Sequence, residues 1–341
     1  MSVTEITREE GGAKPHRIGV LGGGAWGTAL AVSCTATDAD VALWARERDV
    51  ADALSSGDGN PLFLPGIELP AIESSTELDV LSGSDVILAV VPAQFARTTF
   101  ETLAPHVGAG TPILLCAKGI ERESLSLQTD VLREAIPQAV PAVLSGPSFA
   151  ADVARQLPTA VTLACEDEDL GRQLMEMIGQ PSFRPYWSSD LIGAEVGGAV
   201  KNVLAIACGI VEGLGLGKSA HAALIARGFA EMTRLGVALG GRAETLAGLC
   251  GLGDLVLTCS STQSRNMSFG KALGEGRSAA AILAERRAVT EGVATAPAMV
   301  QLAERAGVEM PICTAVHDIL AENVSVNEAM TTLMARPYKG E

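Results

Sequence analysis

The stretch Arg17-Ile18-Gly19-Val20-Leu21-Gly22-Gly23-Gly24-Ala25-Trp26-Gly27 decides the fold. Residues 17–21 read as a short strand buried on both faces, and glycines at 22, 24 and 27 follow it with the spacing G-x-G-x-x-G. Each glycine has its own task in such a turn. The first permits the sharp bend, the second lets backbone approach a pyrophosphate, and the third lets the next helix pack closely on the strand. The start of that helix then presents free N–H groups and the positive end of its dipole to an anion. A glycine-rich turn alone is weak evidence. Strand before, helix after and a second apolar strand at residues 41–44 make it a dinucleotide site, with Gly22, Gly24, Ala25, Trp26 and Gly27 around the cofactor.

Outward from this turn, short apolar runs recur at residues 85–91, 112–117, 142–145 and 160–165, with helical stretches such as 28–37 and 125–136 between several of them. That alternation predicts βαβ units and a doubly wound sheet. After about residue 190 strand signals stop, and residues 192–213, 221–239, 243–249, 278–287, 295–306 and 313–322 read as helices. The predicted fold class is therefore α/β, with an N-terminal Rossmann-type doubly wound sheet over residues 16–190. An all-α C-terminal domain over residues 191–341 follows it, and residues 1–15 read as a flexible polar tail.

Composition narrows the function. At 48% hydrophobic and only 4% aromatic, the chain suits an α/β architecture built from Ala, Val, Leu and Ile. A net charge of −15 argues against nucleic acid or an anionic membrane as partner, while a locally basic site for a small anion remains compatible. The seven cysteines contain no C-x-x-C pair and lie mostly in apolar runs, as expected of reduced core thiols in the cytoplasm. Lys14 to Cys34 resembles a secretory signal only superficially, because Glu5, Glu9 and Glu10 precede it. No uninterrupted apolar run approaches the ~20 residues needed to span a bilayer. A homodimer built on the helical half is compatible with the sequence and not demanded by it.

The end of the second strand, Leu43-Trp44-Ala45-Arg46-Glu47-Arg48, bears on which dinucleotide is bound. An acid at this point takes the ribose hydroxyls of NAD, whereas an arginine accommodates the 2′-phosphate of NADP. Here a small residue replaces the acid and Arg46 follows. The expectation is that both NAD(H) and NADP(H) are used, with NADPH preferred through Arg46; an ordinary solvated loop is the alternative.

Other residues carry chemistry on their own terms. Lys201 lies in a helix of small apolar residues, where an ammonium is costly to bury unless its charge is used. Burial weakens its hold on its proton and moves it toward the range of acid–base work. Asp254, in Gly251-Leu252-Gly253-Asp254-Leu255-Val256, calls for a partner, and Lys201 is the candidate; a helix cap is the bland reading. Lys118 follows the strand at 112–117, at the sheet edge where ligands bind, although loop lysines are common. Ser264, Arg265 and Asn266 combine a hydroxyl, a guanidinium fork and an amide, which suits a phosphate monoester and equally suits a polar loop. His16, His106, His221 and His317 belong to no motif, and no metal-ligand cluster stands out.

Taken together, the segments GGGAWGTALA (22–31), AKG (117–119), SGPSFA (145–150), GGAVKNV (197–203), GLGDLVLTC (251–259), QSRN (263–266) and VTEG (289–292) resemble the bacterial NAD(P)-dependent glycerol-3-phosphate dehydrogenases. The likeness runs from about Arg17 to about Ala335. It implies an oxidoreductase that interconverts dihydroxyacetone phosphate and sn-glycerol 3-phosphate, the backbone precursor of glycerophospholipids. It further implies that Lys201 is the proton donor and acceptor on the C2 oxygen, with Asp254 beside it. Lys118, Gly146, Ser148, Lys201, Asp254, Ser264, Arg265 and Asn266 would contact the phosphorylated substrate. Lys118, Ala150, Arg265, Val289 and Glu291 would join the glycine turn and Arg46 on the cofactor. Two alternatives stay open: a related lysine-using β-hydroxyacid dehydrogenase, and a non-catalytic NADP-binding sensor.

Overall fold

The computed structural model describes residues 15–286 and 289–337. Most of the expected N-terminal tail and residue 287 of an expected helix thus lie outside the described residues. Eight strands form one sheet: β1 (Arg17–Leu21), β2 (Asp40–Trp44), β3 (Glu73–Ser75), β4 (Val86–Ala89), β5 (Pro112–Leu115), β6 (Val140–Ser145), β7 (Thr159–Ala164) and β8 (Phe183–Ser188). Their order is β3-β2-β1-β4-β5-β6-β7-β8. The first six run parallel, β7 pairs antiparallel with β6, and β8 returns parallel to β7. The order reverses between β1 and β4, so a crevice opens beyond their carboxyl ends, where open α/β sheets bind ligands.

Helices α1 (Ala25–Thr35), α2 (Arg48–Ser56), α3 (Ala96–Leu103), α4 (Gln128–Ala135), α5 (Ala150–Ala154) and α6 (Glu168–Ile178) accompany the sheet. The helical half comprises α7 (Leu191–Gly213), α8 (Gly217–Ala238), α9 (Ala243–Leu246), α10 (Asp254–Cys259), α11 (Arg265–Gly274), α12 (Ala279–Ala284), α13 (Glu291–Arg305), α14 (Pro311–Leu320) and α15 (Val326–Met334). A π-helical turn at Leu249–Gly253 leads into α10. Among the described residues no strand follows β8. Two strands escape a reading by apolar runs. β3 is three polar-leaning residues, and β8 alternates buried Phe183 and Pro185 with exposed Arg184 and Tyr186, as suits an edge strand.

The two faces of the sheet carry separate apolar clusters, one around Ile18, Val20 and Leu43, the other around Leu21, Ile87 and Ile113. The second also takes in Leu191, Ala194 and Cys250, so the helical half seats directly on the sheet. A third cluster surrounds α7. All seven cysteines are buried free thiols.

α7 passes the length and mean-hydropathy test for a membrane span, although Glu195, Lys201 and Asn202 interrupt its apolar run. Its most apolar window is 94% buried within the protein, which accounts for that hydropathy without a bilayer. α7 is covered by α8, α10, α11 and α13. Its approach to α11 depends on glycines four apart on each helix, Gly209 and Gly213 against Gly270 and Gly274. A Cβ on Gly209 would stand 2.1 Å from the Met267 carbonyl oxygen, and one on Gly270 would stand 2.0 Å from that of Ile206. This crossing matters because α7 carries Lys201 and α11 begins with Arg265 and Asn266. Gly270→Ala should therefore lower stability by about 1–3 kcal/mol or more through overpacking. Urea denaturation measures it, and an unchanged midpoint would contradict so close a helix contact.

Candidate active site

The glycine turn meets the steric demands of a dinucleotide. Gly22 has φ +128°, and a Cβ there would press to 2.9 Å on the Val90 carbonyl oxygen. A Cβ on Gly27 would lie 1.9 Å from the Gly22 oxygen, so glycine is required where α1 leaves the strand. Above Gly24, by contrast, the space is open to 4 Å, which is where backbone must meet the pyrophosphate. Ala25 and Trp26 open α1, and the Trp26 Nε1 is buried without a hydrogen-bond partner among the described residues. Ala150 likewise opens α5, which packs on α1. The turn thus fits the group that its sequence implies. Beyond β2, Ala45 is fully buried against Gly23, so the place where an acid would be sought has no room for one. Arg46 is the first exposed residue, its side chain 76% accessible and paired with Glu47.

Across the crevice, the chemistry concentrates on one carboxylate. Asp254, 1% exposed at the start of α10, accepts from Lys118 Nζ at 2.6 Å through Oδ2 and from Lys201 Nζ at 2.7 Å through Oδ1. Its partner was expected to be Lys201; the structure adds Lys118, which also donates to the Gly146 carbonyl at 3.0 Å. Lys201, 8% exposed, donates further to Thr258 Oγ1 at 2.8 Å. Burial lowers the Lys201 pKa to about 8; Asp254 opposes this, and the like charge of Lys118 reinforces it. Burial alone would push the Asp254 carboxyl up, but the two ammoniums hold it below its ordinary value. An ammonium has three N–H groups, so Lys118 and Lys201 each keep one beyond their two protein acceptors. Each ammonium on Asp254 therefore has one N–H that no acceptor among the described residues takes.

The remaining expected residues fall around this cluster in different ways. The Ser148 hydroxyl donates to the Gly146 oxygen at 3.1 Å, and a Cβ on Gly146 would come within 2.9 Å of Val161 Cα. Ser264 is the N-cap of α11, its hydroxyl accepting from Met267 N at 3.2 Å. The Asn266 carboxamide is largely engaged within the protein, donating to Asn202 Oδ1 at 2.9 Å and accepting from Gly292 N at 3.0 Å. Arg265, at the first turn of α11, is exposed, and its guanidinium makes no hydrogen bond among the described residues. Its charge acts on Glu291: burial raises the carboxyl of Glu291 above its ordinary value, while Arg265, Lys201 and Lys118 oppose the rise. Val289 and Glu291 line a cavity of about 520 Å³ with Phe95 and Arg122.

Two participants were missed. Asn202 Nδ2 donates to the Lys118 carbonyl at 2.9 Å and approaches Glu291 Oε2 at 3.4 Å, joining the lysine loop to α13. Thr258 lies four residues after Asp254, on the same helix face, and its hydroxyl reaches Oδ1 at 3.2 Å. The i, i+4 spacing and the adjacency of Asn202 to Lys201 were the available signals.

A Rossmann-type sheet with a glycine turn at its switch point, facing a buried carboxylate held by two lysines, defines a nicotinamide-dinucleotide-dependent oxidoreductase. Within that class, the chain belongs to the NAD-dependent glycerol-3-phosphate dehydrogenase family. The family's N-terminal part matches residues 17–171 and its C-terminal part residues 190–331. The glycerol-3-phosphate dehydrogenase (NAD(P)+) of Maricaulis maris is 63% identical over 94% of this chain and 97% of its own length. That of Caulobacter vibrioides is 59% identical over 96% and 99%. Among solved structures, the glycerol-3-phosphate dehydrogenase of Coxiella burnetii superposes with a TM-score of 0.90 at 40% identity, covering 94% of this chain and 99% of that one.

Removing the shared carboxylate tests the cluster. Asp254→Ala leaves two buried ammoniums facing each other and should destabilise the fold by about 3–5 kcal/mol. A Lys118→Met change on top should recover part of the loss in urea denaturation. A neutral Asp254→Ala would contradict the bridging geometry.

Proposed function

We propose that the protein reduces dihydroxyacetone phosphate reversibly to sn-glycerol 3-phosphate with NADPH or NADH, as the glycerol-3-phosphate dehydrogenases it resembles are named for doing. The product supplies glycerophospholipid synthesis in the cytoplasm. The observation that carries this reading is Lys201, a buried ammonium with a pKa of about 8 and one N–H free of protein acceptors. A nicotinamide bound over the glycine turn would supply the hydride to C2. Residues 16–190 serve as the dinucleotide-binding domain, and residues 191–341 supply the catalytic helices.

Lys201 gives its proton to the C2 oxygen as negative charge develops there, and takes it back in the reverse direction. Asp254 stays ionised throughout, because it bridges two cations, and it fixes the direction of the Lys201 ammonium. Lys118 turns its remaining N–H toward the same crevice and adds positive charge opposite the developing alkoxide, where a water-poor site makes such charge most effective. Arg265 is the phosphate-binding cation, with Ser264 and Asn266 setting the start of α11 so that its guanidinium faces the ligand. Gly146 and Ser148 border the carbonyl side. Val289, Glu291 and Ala150 border the cofactor, and Arg46 favours NADPH by reaching its 2′-phosphate once it leaves Glu47.

One assay tests these roles together: oxidation of NADPH and NADH on adding dihydroxyacetone phosphate. Lys201→Ala should cut turnover by about 10²–10⁴-fold, the range of general acid–base catalysis, while dinucleotide binding survives. Arg46→Ala should erode the preference for NADPH over NADH. Near-normal turnover in the first variant refutes the lysine acid, and an unchanged cofactor ratio in the second refutes the Arg46 contact.

A further inference from the structure

Lys118 stands in irregular chain. Between β5 and α4, residues 116–127 form no helix or strand, yet Lys118 must hold its ammonium between Asp254 and the Gly146 oxygen. Besides Asn202, which donates to the Lys118 carbonyl, side chains from the neighbouring connection after β4 steady this segment; that connection is a 3-10 turn at Ala93–Phe95 running into α3. Gln94 Nε2 donates to the Ile120 carbonyl at 2.7 Å, and its Oε1 accepts from Arg122 N at 3.1 Å. One carboxamide thus grips the main chain on both sides of Glu121. Arg97, one turn later, grips Glu121 itself: its Nε and Nη2 take the two carboxylate oxygens at 2.9 and 2.7 Å. Its third nitrogen, Nη1, reaches Glu134 on α4 at 2.7 Å. Ser124 closes the ring on Glu121. Gly119 allows the two segments to touch, since a Cβ there would stand 2.9 Å from that of Ala93.

The arrangement is specific. Two side chains three residues apart hold three consecutive residues, 120–122, whose first lies two beyond the lysine. Ala89 and Leu115 are paired in neighbouring strands, so β4 and β5 end side by side and deliver the two segments together. A bidentate guanidinium–carboxylate pair fixes orientation as well as distance. A single hydrogen bond to an irregular loop would not.

Accepting the lysine-acid reading above, we propose that Gln94 and Arg97 are positioning residues for Lys118, keeping its ammonium on Asp254 and so tuning the Lys201–Asp254 pair. Neither needs to touch the substrate. The consequence goes beyond stability because Lys118 is a like charge for Lys201. Lys201 faces Asp254 on α10 and Glu291 on α13, whose charges favour its protonated form, and Lys118, which opposes it; when the 120–122 segment is released and Lys118 withdraws, only the two carboxylates remain and Lys201 holds its proton more tightly. The rate of carbonyl reduction falls as pH rises through the Lys201 titration, so a loosened Lys118 moves that alkaline fall to higher pH.

Gln94→Met keeps side-chain length and removes both hydrogen bonds; Arg97→Lys keeps the charge and removes the fork. For dihydroxyacetone phosphate and NADPH, Gln94→Met should lower kcat about 10–100-fold, the usual scale for a misplaced supporting group. Its alkaline limb should move up in pH. Arg97→Lys should move both quantities the same way and less far. A lower kcat with the limb unmoved in both variants, or wild-type values of both quantities, overturns the positioning role. Should Gln94→Met fail to fold, Arg97→Lys carries the same test. An inactive wild-type protein would instead refute the proposed function, whereas an active wild type with unaltered variants refutes this inference alone.

Discussion

The structure turns on one buried carboxylate. Asp254 receives one ammonium from the loop after β5 and another from the middle of α7, so it ties the sheet to the helical half. Two cations share this one carboxylate, and the buried Glu291 also interacts with both of their charges. Charges buried in this way are tolerated only because they are paired. In the proposed reaction, the alkoxide that forms during reduction adds a further negative charge for these ammoniums to stabilise. Burial, reinforced by the Lys118 charge and opposed by Asp254, lowers the Lys201 pKa to about 8, the condition that the proposed acid–base role requires.

Glycines set the geometry around this charge. In the turn after β1 they let backbone come close to backbone, and above Gly24 they leave room for a ligand. In the helical half a second set lets α7 and α11 cross at van der Waals distance, bringing Arg265 and Asn266 beside Asn202 and Glu291. Asn202 completes the circuit. It donates to the backbone of Lys118 and accepts from Asn266, so hydrogen bonds link the loop after β5, α7 and the start of α11.

Much of this was legible in the chain. The apolar runs of β1, β4 and β5 are buried on both faces of the sheet, so unbroken hydrophobicity marks them; β3 and β8 lie at the edges, where that signal is absent. Lys201 was conspicuous because a lysine in a helix of glycine, alanine and valine needs a reason. Thr258 was not, since a threonine in an apolar helix is ordinary until a carboxylate is placed four residues before it. Lys118 was assigned to ligand contact, but its bond to Asp254 joins residues 136 positions apart, which no local pattern reveals. The Gln94 and Arg97 grip is likewise invisible in sequence, because it depends on β4 and β5 being neighbours in the sheet. Ser264 and Asn266 show the converse: residue types suited to phosphate that the fold also uses to begin a helix and to bind a neighbouring amide.

The most direct test of the account is the titration of Lys201 itself. In protein carrying carbon-13 at the lysine side chains, the Cε resonance of Lys201, assigned by its absence from Lys201→Arg, should titrate near pH 8, well below an ordinary lysine. In Lys118→Met, which removes the like charge, the midpoint should rise. A Lys201 that titrates near 10.5 in the intact protein, indifferent to Lys118, would contradict the claim that burial and the neighbouring Lys118 charge make it the acid.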